Sequence, residues 1–210
     1  MAGVTFTEAL AACPLIAILR GITPSEAVAV GMALVEDGFR IVEVPLNSPE
    51  PMQSIAALAK AIGDRSLIGA GTVMSAADVA AVAGAGGRLI VMPHSDPVVI
   101  RAAKAAGLTI APGVATPTEA FAALAAGADA LKLFPAEMIG PPVVKALRAV
   151  LPRGVRLIPV GGISVANIPA YHAAGADGFG IGSTLYAPGK SVADVRAAAR
   201  ALMTAVRSAQ

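Results

Sequence analysis

Tryptophan is absent from this 210-residue sequence, and its aromatic residues are two tyrosines and five phenylalanines. Nucleic-acid surfaces need aromatic faces for base stacking or a basic groove for the backbone. Charge is also sparse: only 14% of residues are charged, and the net charge of +2 comes from scattered Lys and Arg with no basic stripe. Nucleic acid is therefore not expected as a partner. Cys13 is the only cysteine, so neither an internal disulfide nor a Cys-rich metal site can form. The two histidines, His94 and His172, form no metal-ligand pattern, and no metal or cofactor is expected. His172 falls in a predicted helix, and His94 precedes the helix-start signal Ser95-Asp96.

Long hydrophobic runs are missing despite high hydropathy. The longest uncharged run, residues 157–176, is interrupted by Pro159, Gly161, Gly162, Asn167 and Pro169. No apolar stretch approaches the ~20 residues that span a bilayer. Leu10-Ala11-Ala12-Cys13 resembles a lipoprotein cleavage site, yet residues 1–9 contain Glu8 and no Lys or Arg. The expectation is a cytoplasmic protein without an export signal.

What the sequence does have is a recurrent unit: an apolar strand, a loop, an Ala-rich helix and a helix-ending glycine. These glycines are Gly38, Gly63, Gly86, Gly107, Gly127, Gly154 and Gly175, spaced by 25, 23, 21, 20, 27 and 21 residues. Glycine takes the left-handed conformation after a helix end without strain. After a short N-terminal helix near 5–12, strands are predicted at 15–20, 40–45, 67–70, 89–93, 109–112, 130–134, 156–160 and 178–181. Helix starts follow at Thr23-Pro24, Ser48-Pro49, Ser75, Ser95-Asp96, Thr116-Pro117, Pro141, Ser164 and Ser191. Eight alternating strands and helices predict one (β/α)8 barrel over residues 1–210. An open doubly wound sheet, the other arrangement of such units, usually carries its glycine-rich turn first; here those loops come last.

Barrel chemistry sits at the C-terminal ends of strands. There the predicted strands place Arg20, Glu43, Thr72 after Gly71, and Lys132. Lys132 lies between apolar neighbours in Ala130-Leu131-Lys132-Leu133-Phe134, and alternation puts Ala130, Lys132 and Phe134 on one face. Burial lowers a lysine pKa, and a neutral amine can condense with a ketone. The competing reading pairs Lys132 with Glu137 at the strand end. Glu43 shares its face with Ile41 and Pro45, so a Glu43–Lys132 ion pair is a further possibility. Such a pair stabilises poorly when buried, which favours chemistry over packing. The loops Gly161-Gly162-Ile163-Ser164 and Gly180-Ile181-Gly182-Ser183 expose backbone N–H groups suited to an anion. Arg20, with its planar fork, is a second candidate anion ligand, the alternative being a salt bridge across the rim.

These motifs resemble the KDPG/KHG class I aldolases, which act on 2-keto-3-deoxy-6-phospho sugar acids. The matching segments are Leu-Lys-Leu-Phe-Pro-Ala-Glu around Lys132, Val-Glu-Val-Pro-Leu around Glu43, Gly69-Ala70-Gly71-Thr72, and the two glycine loops. The resemblance implies that Lys132 forms a Schiff base and Glu43 shuttles protons. It implies that Arg20 and Thr72 bind the keto-acid end, while Gly161, Gly162, Gly182 and Ser183 form the phosphate loops. It further implies a metal-free homotrimer acting on a phosphorylated keto-deoxy sugar acid. Where the phosphogluconate branch has arginine and threonine, this chain has Asn47 and Val160, which with Pro45-Leu46-Asn47-Ser48 resembles the phosphogalactonate branch. Cleavage of the gluconate epimer or of 4-hydroxy-2-oxoglutarate, a sugar-phosphate epimerase or isomerase, and a non-catalytic sugar-phosphate binding barrel are the alternatives.

Overall fold

The computed structural model describes residues 4–209. Helix α1 (Phe6–Ala12) leads into β1 (Leu15–Ile18), α2 (Pro24–Glu36), β2 (Ile41–Pro45) and α3 (Pro51–Ile62). The chain continues through β3 (Leu67–Gly71), α4 (Ala76–Gly84), β4 (Leu89–Val91), α5 (Pro97–Ala105), β5 (Thr109–Ala111) and β6 (Gly113–Val114). It then forms α6 (Pro117–Ala125), β7 (Ala130–Leu133), α7 (Pro141–Val150) and β8 (Arg156–Pro159), followed by α8 (Ile168–Ala173), β9 (Phe179–Ile181) and α9 (Val192–Ala209).

Local chemistry accounts for most of these boundaries. Thr5 with Glu8, Thr23 with Glu26 and Thr116 with Glu119 form reciprocal capping boxes ahead of α1, α2 and α6. Six of the seven helix-ending glycines have left-handed φ, from 72° at Gly107 to 106° at Gly38. Gly63 does not: it ends α3 at φ −67°. Two starts also lie later than the sequence suggests. Helix α3 begins at Pro51 after the left-handed Glu50, and α8 begins at Ile168 rather than beside Ser164. Ser164 instead gives its N–H to Asn167 Oδ1 at 2.9 Å.

Among the described residues the strands number nine, because a further short strand, β6, follows Pro112, the expected end of the predicted fifth strand. Proline has no N–H to give to a ladder. Its carbonyl still accepts the Lys132 N–H at 2.9 Å, so the neighbouring strand keeps its register. All pairings are parallel, in sheets ordered β5-β4-β3-β2-β1-β9 and β6-β7-β8. The result is a curled parallel α/β fold with nine helices among the described residues. Strand β6 continues β5, and one parallel bridge, Val160 to Gly180, joins the other two edges.

The segments Ala126-Gly127-Ala128-Asp129 and Ala174-Gly175-Ala176-Asp177 are alike, and each has a structural reason at a sheet edge. Asp129 donates its N–H to Ile110 O at 3.0 Å, and its carboxylate accepts the Ile110 N–H at 2.9 Å. Asp177 does the same with Leu157, at 2.9 and 2.8 Å. Lys104 neutralises the first carboxylate, while Arg148 and Arg156 neutralise the second.

Strand alternation creates two apolar layers. Ile16, Ile18, Ile41, Leu67, Leu89, Val91, Ala130 and Ile158 point inside the curl, where Phe6, Ala9 and Leu10 of α1 close its N-terminal end. Leu15, Ala17, Val42, Val44, Leu131 and Leu133 point outward under the helices. At the seam between chain ends, α9 lies against α2. Arg196 reaches Glu36 at 2.7 Å and Asp37 at 3.1 Å, and Arg200 reaches Asp37 at 3.0 Å.

Candidate active site

Lys132 stands on the inner face of β7, as its alternation with Leu131 and Leu133 requires, and it is only 6% exposed. Its Nζ lies 4.5 Å from the centroid of the Phe134 ring. Burial pushes its pKa down, Arg20 adds to that, and Glu43 opposes it. Glu43, on the inner face of β2, is 2% exposed, and its Oε2 has no hydrogen-bond partner among the described residues. Burial pushes this carboxyl pKa up, against the attraction of Lys132 and Arg20. The two residues line one narrow cavity with Ile18, Val91, Val160 and Gly180.

No ion pair within 4.0 Å joins Lys132 to either Glu43 or Glu137 among the described residues. Both packing alternatives for the lysine therefore lose their contact. Glycines instead shape the pocket. A Cβ on Gly71 would stand 2.6 Å from Glu43 Oε1, so the carboxyl occupies space that only glycine leaves open.

At the rim, Arg20 lies beyond the end of β1 rather than within it, and its Nη1 donates to Asn47 Oδ1 at 2.7 Å. The next residue, Gly21, gives its N–H to Ser48 Oγ at 2.9 Å, tying the two loops together. A second cavity of about 180 Å³ opens beside the first and shares Ile18, Val160 and Gly180 with it. Its walls include Arg20, Glu137, Gly161, Gly162, Gly182 and Ser183. Gly161 and Gly162 have φ of 112° and 61°, two successive left-handed residues that side chains would strain. Among the described residues, the N–H groups of Gly162, Gly182 and Ser183 have no backbone acceptor, which leaves them open to an anion.

The structure thus brings Lys132 and Glu43 to one cavity and Arg20, Gly161, Gly162, Gly182 and Ser183 to the next, with Val160 between them. Thr72 lines neither of these two cavities. It follows Gly71 directly at φ 56°, a strained conformation for a β-branched residue. Three contributors escaped the sequence reading: Gly71 as space for Glu43, Asn47 as the acceptor for Arg20, and Glu137 as a wall of the second cavity. All three lay within recognised motifs, but contacts across the fold leave no local pattern. Among the described residues, no three His, Cys, Asp or Glu side chains group to hold a metal ion.

The model of the family described as KDPG and KHG aldolase matches residues 6–198 of this chain. The chain belongs to that family. This aldolase is 52% identical over 192 residues to a probable 2-dehydro-3-deoxy-6-phosphogalactonate aldolase of Rhizobium meliloti (strain 1021), with 91% of each chain covered. It is 50% identical over 196 residues to the 2-dehydro-3-deoxy-6-phosphogalactonate aldolase of Escherichia coli (strain K12), covering 93% of this chain and 96% of the relative. A solved structure described as native KDPGal superposes with TM-score 0.92 at 50% identity, covering 93% of the aldolase and 95% of that chain. The Legionella pneumophila KDPG aldolase, with pyruvate captured as a covalent carbinolamine, superposes with TM-score 0.84 at 28% identity, over 93% and 97% of the chains.

Proposed function

We propose that this aldolase cleaves 2-dehydro-3-deoxy-6-phosphogalactonate to pyruvate and D-glyceraldehyde 3-phosphate through a Schiff base on Lys132. The observation that carries the chemistry is the burial of Lys132 and Glu43 in one cavity, each pushed toward its neutral form. The two relatives of about half-identical sequence support the choice of substrate.

In this mechanism the neutral Lys132 amine adds to the C2 ketone. Protonated Glu43 gives a proton to the departing hydroxyl, and loss of water leaves an iminium. The Glu43 carboxylate then takes the C4 hydroxyl proton. The C3–C4 bonding pair flows into the iminium, releasing D-glyceraldehyde 3-phosphate and leaving an enamine. Return of the proton to C3 and hydrolysis free pyruvate and Lys132. A carboxyl with a raised pKa suits both directions of this transfer.

The remaining roles rest on the family pattern and on position. By the family pattern Arg20, held by Asn47, and Thr72 take the carboxylate end, although Arg20 lines the second cavity and Thr72 lines neither; by position the N–H groups around Gly161, Gly162, Gly182 and Ser183 take the phosphate. Val160 faces the carbon chain between them. The two curled sheets close as one (β/α)8 barrel spanning the chain as a single domain. This closure is supported by the Val160–Gly180 bridge, the continuity of β5 with β6, and the α2–α9 ion pairs. The working form is a cytoplasmic homotrimer. Apolar side chains exposed where strands lead into helices, Met74, Val98, Met138 and Val143, offer surface for assembly.

Borohydride reduction with pyruvate, followed by peptide mapping, tests the assignment. The expected product is a reduced pyruvyl adduct on Lys132. Label on Lys60, Lys104, Lys145 or Lys190 instead, or no label, overturns it.

A further inference from the structure

The second cavity holds a feature that a phosphate site does not call for: a carboxylate. Glu137 is exposed to the cavity, and its side chain lies over the backbone of Gly161 and Gly162. A Cβ on Gly162 would stand 3.0 Å from Glu137 Cγ, and one on Gly161 would collide with the Glu137 carboxyl. The paired glycines therefore leave room for this side chain as well as for a ligand. Among the described residues Glu137 takes part in no ion pair and no side-chain hydrogen bond, so it is not a structural brace.

A carboxylate beside a bound phosphate dianion is repulsive unless a hydrogen-bond donor sits between them. On the reading proposed above, the ligand brings one. The carbon between the reacting C4 and the phosphate-bearing carbon carries a hydroxyl. It must cross from the first cavity to the second past the apolar side chains of Ile18, Phe134 and Val160. None of these accepts a hydrogen bond. Thr184 Oγ1, also on the second cavity, donates to Ile163 O at 2.9 Å and keeps its lone pairs, but it and Ser183 Oγ are neutral acceptors, weaker than a carboxylate. We propose that Glu137 is a specificity-determining residue that accepts a hydrogen bond from this C5 hydroxyl. It thereby selects 2-hydroxyaldehyde phosphates over deoxy analogues.

The test uses the synthetic direction, addition of pyruvate to an aldehyde. Wild type, Glu137→Gln and Glu137→Ala are assayed with D-glyceraldehyde 3-phosphate and with 3-oxopropyl phosphate, which lacks only the hydroxyl in question. Glu137→Ala is expected to lower kcat/KM for D-glyceraldehyde 3-phosphate by about ten- to a hundredfold, the range for a hydrogen bond to a charged group. The deoxy aldehyde should change less than about threefold, and Glu137→Gln, which keeps one acceptor, should fall between. Equal losses with both aldehydes, or gains with both, overturn the proposal, because Glu137 would then act on the phosphate alone. Borohydride trapping with pyruvate alone reads the Schiff-base chemistry and the integrity of each variant separately. It should be unchanged, and its loss in a Glu137 variant would also reject the assignment.

Discussion

Gly71 leaves open the space into which Glu43 turns its carboxyl: a Cβ at residue 71 would stand 2.6 Å from Glu43 Oε1. The two residues sit on paired strands, with Gly71 registered against Pro45, two positions beyond Glu43. Because the φ of Gly71 is not left-handed, alanine fits the backbone and the whole effect falls on the carboxyl.

Gly71→Ala is therefore expected to lower kcat by about a hundredfold, the effect of misplacing a catalytic group by about 1 Å. The fold should persist, as checked by thermal unfolding alongside steady-state kinetics. Unchanged kcat would mean that the Glu43 carboxyl works from another position.

The raised pKa of Glu43 makes a prediction about stability. Folding favours the protonated carboxyl, so its contribution is complete below the ordinary value of 4.5. It is lost as pH rises through the higher folded value. Glutamine mimics the protonated form and does not titrate. Over the range upward from that ordinary value, the Tm of Glu43→Gln should rise relative to wild type and level off only once the folded carboxyl has ionised. A constant difference across that range would show that Glu43 titrates normally.

The glycine loops separate two kinds of substitution. A side chain at Gly182 meets nothing within 4 Å, so Gly182→Ala should leave KM nearly unchanged. Gly182→Asp puts a carboxylate beside the bound phosphate, and KM should rise at least about tenfold, since opposed like charges cost several kcal/mol. Equal KM values for the two variants would place the phosphate elsewhere.

Val160 borders both cavities. The galactonate and gluconate substrates differ only at C4, and valine gives that hydroxyl no hydrogen bond where threonine would. Val160→Thr should raise relative kcat/KM for the gluconate epimer by up to about tenfold, the reach of one such bond. Assays on both purified epimers measure this. A strong wild-type preference for the gluconate epimer would reverse the substrate assignment and leave the aldolase chemistry intact.

The sequence by itself determined the succession of strands and helices, the helix starts at Thr23 and Thr116, and which neighbours share a face with Lys132 and with Glu43. Each is written within a few residues, as a period, a cap or an alternation. It also located the glycine loops, because two of them end neighbouring strand predictions. The break at Pro112 was readable only in part. Proline marks a weak point in a ladder, but where the strand resumes depends on its partners, Pro93–His94 and Lys132. Only the tertiary structure decided that α1 closes the interior, that Gly71 yields its space to Glu43, that Asn47 holds Arg20 and that Glu137 lies over Gly161 and Gly162. The pocket contacts join residues as many as 28 positions apart, as between Glu43 and Gly71, and α1 meets residues farther still, as Leu10 beside Gly178. Their physical cause is the curl of the sheet: it sets which strand ends face each other, and no local run of residues encodes that.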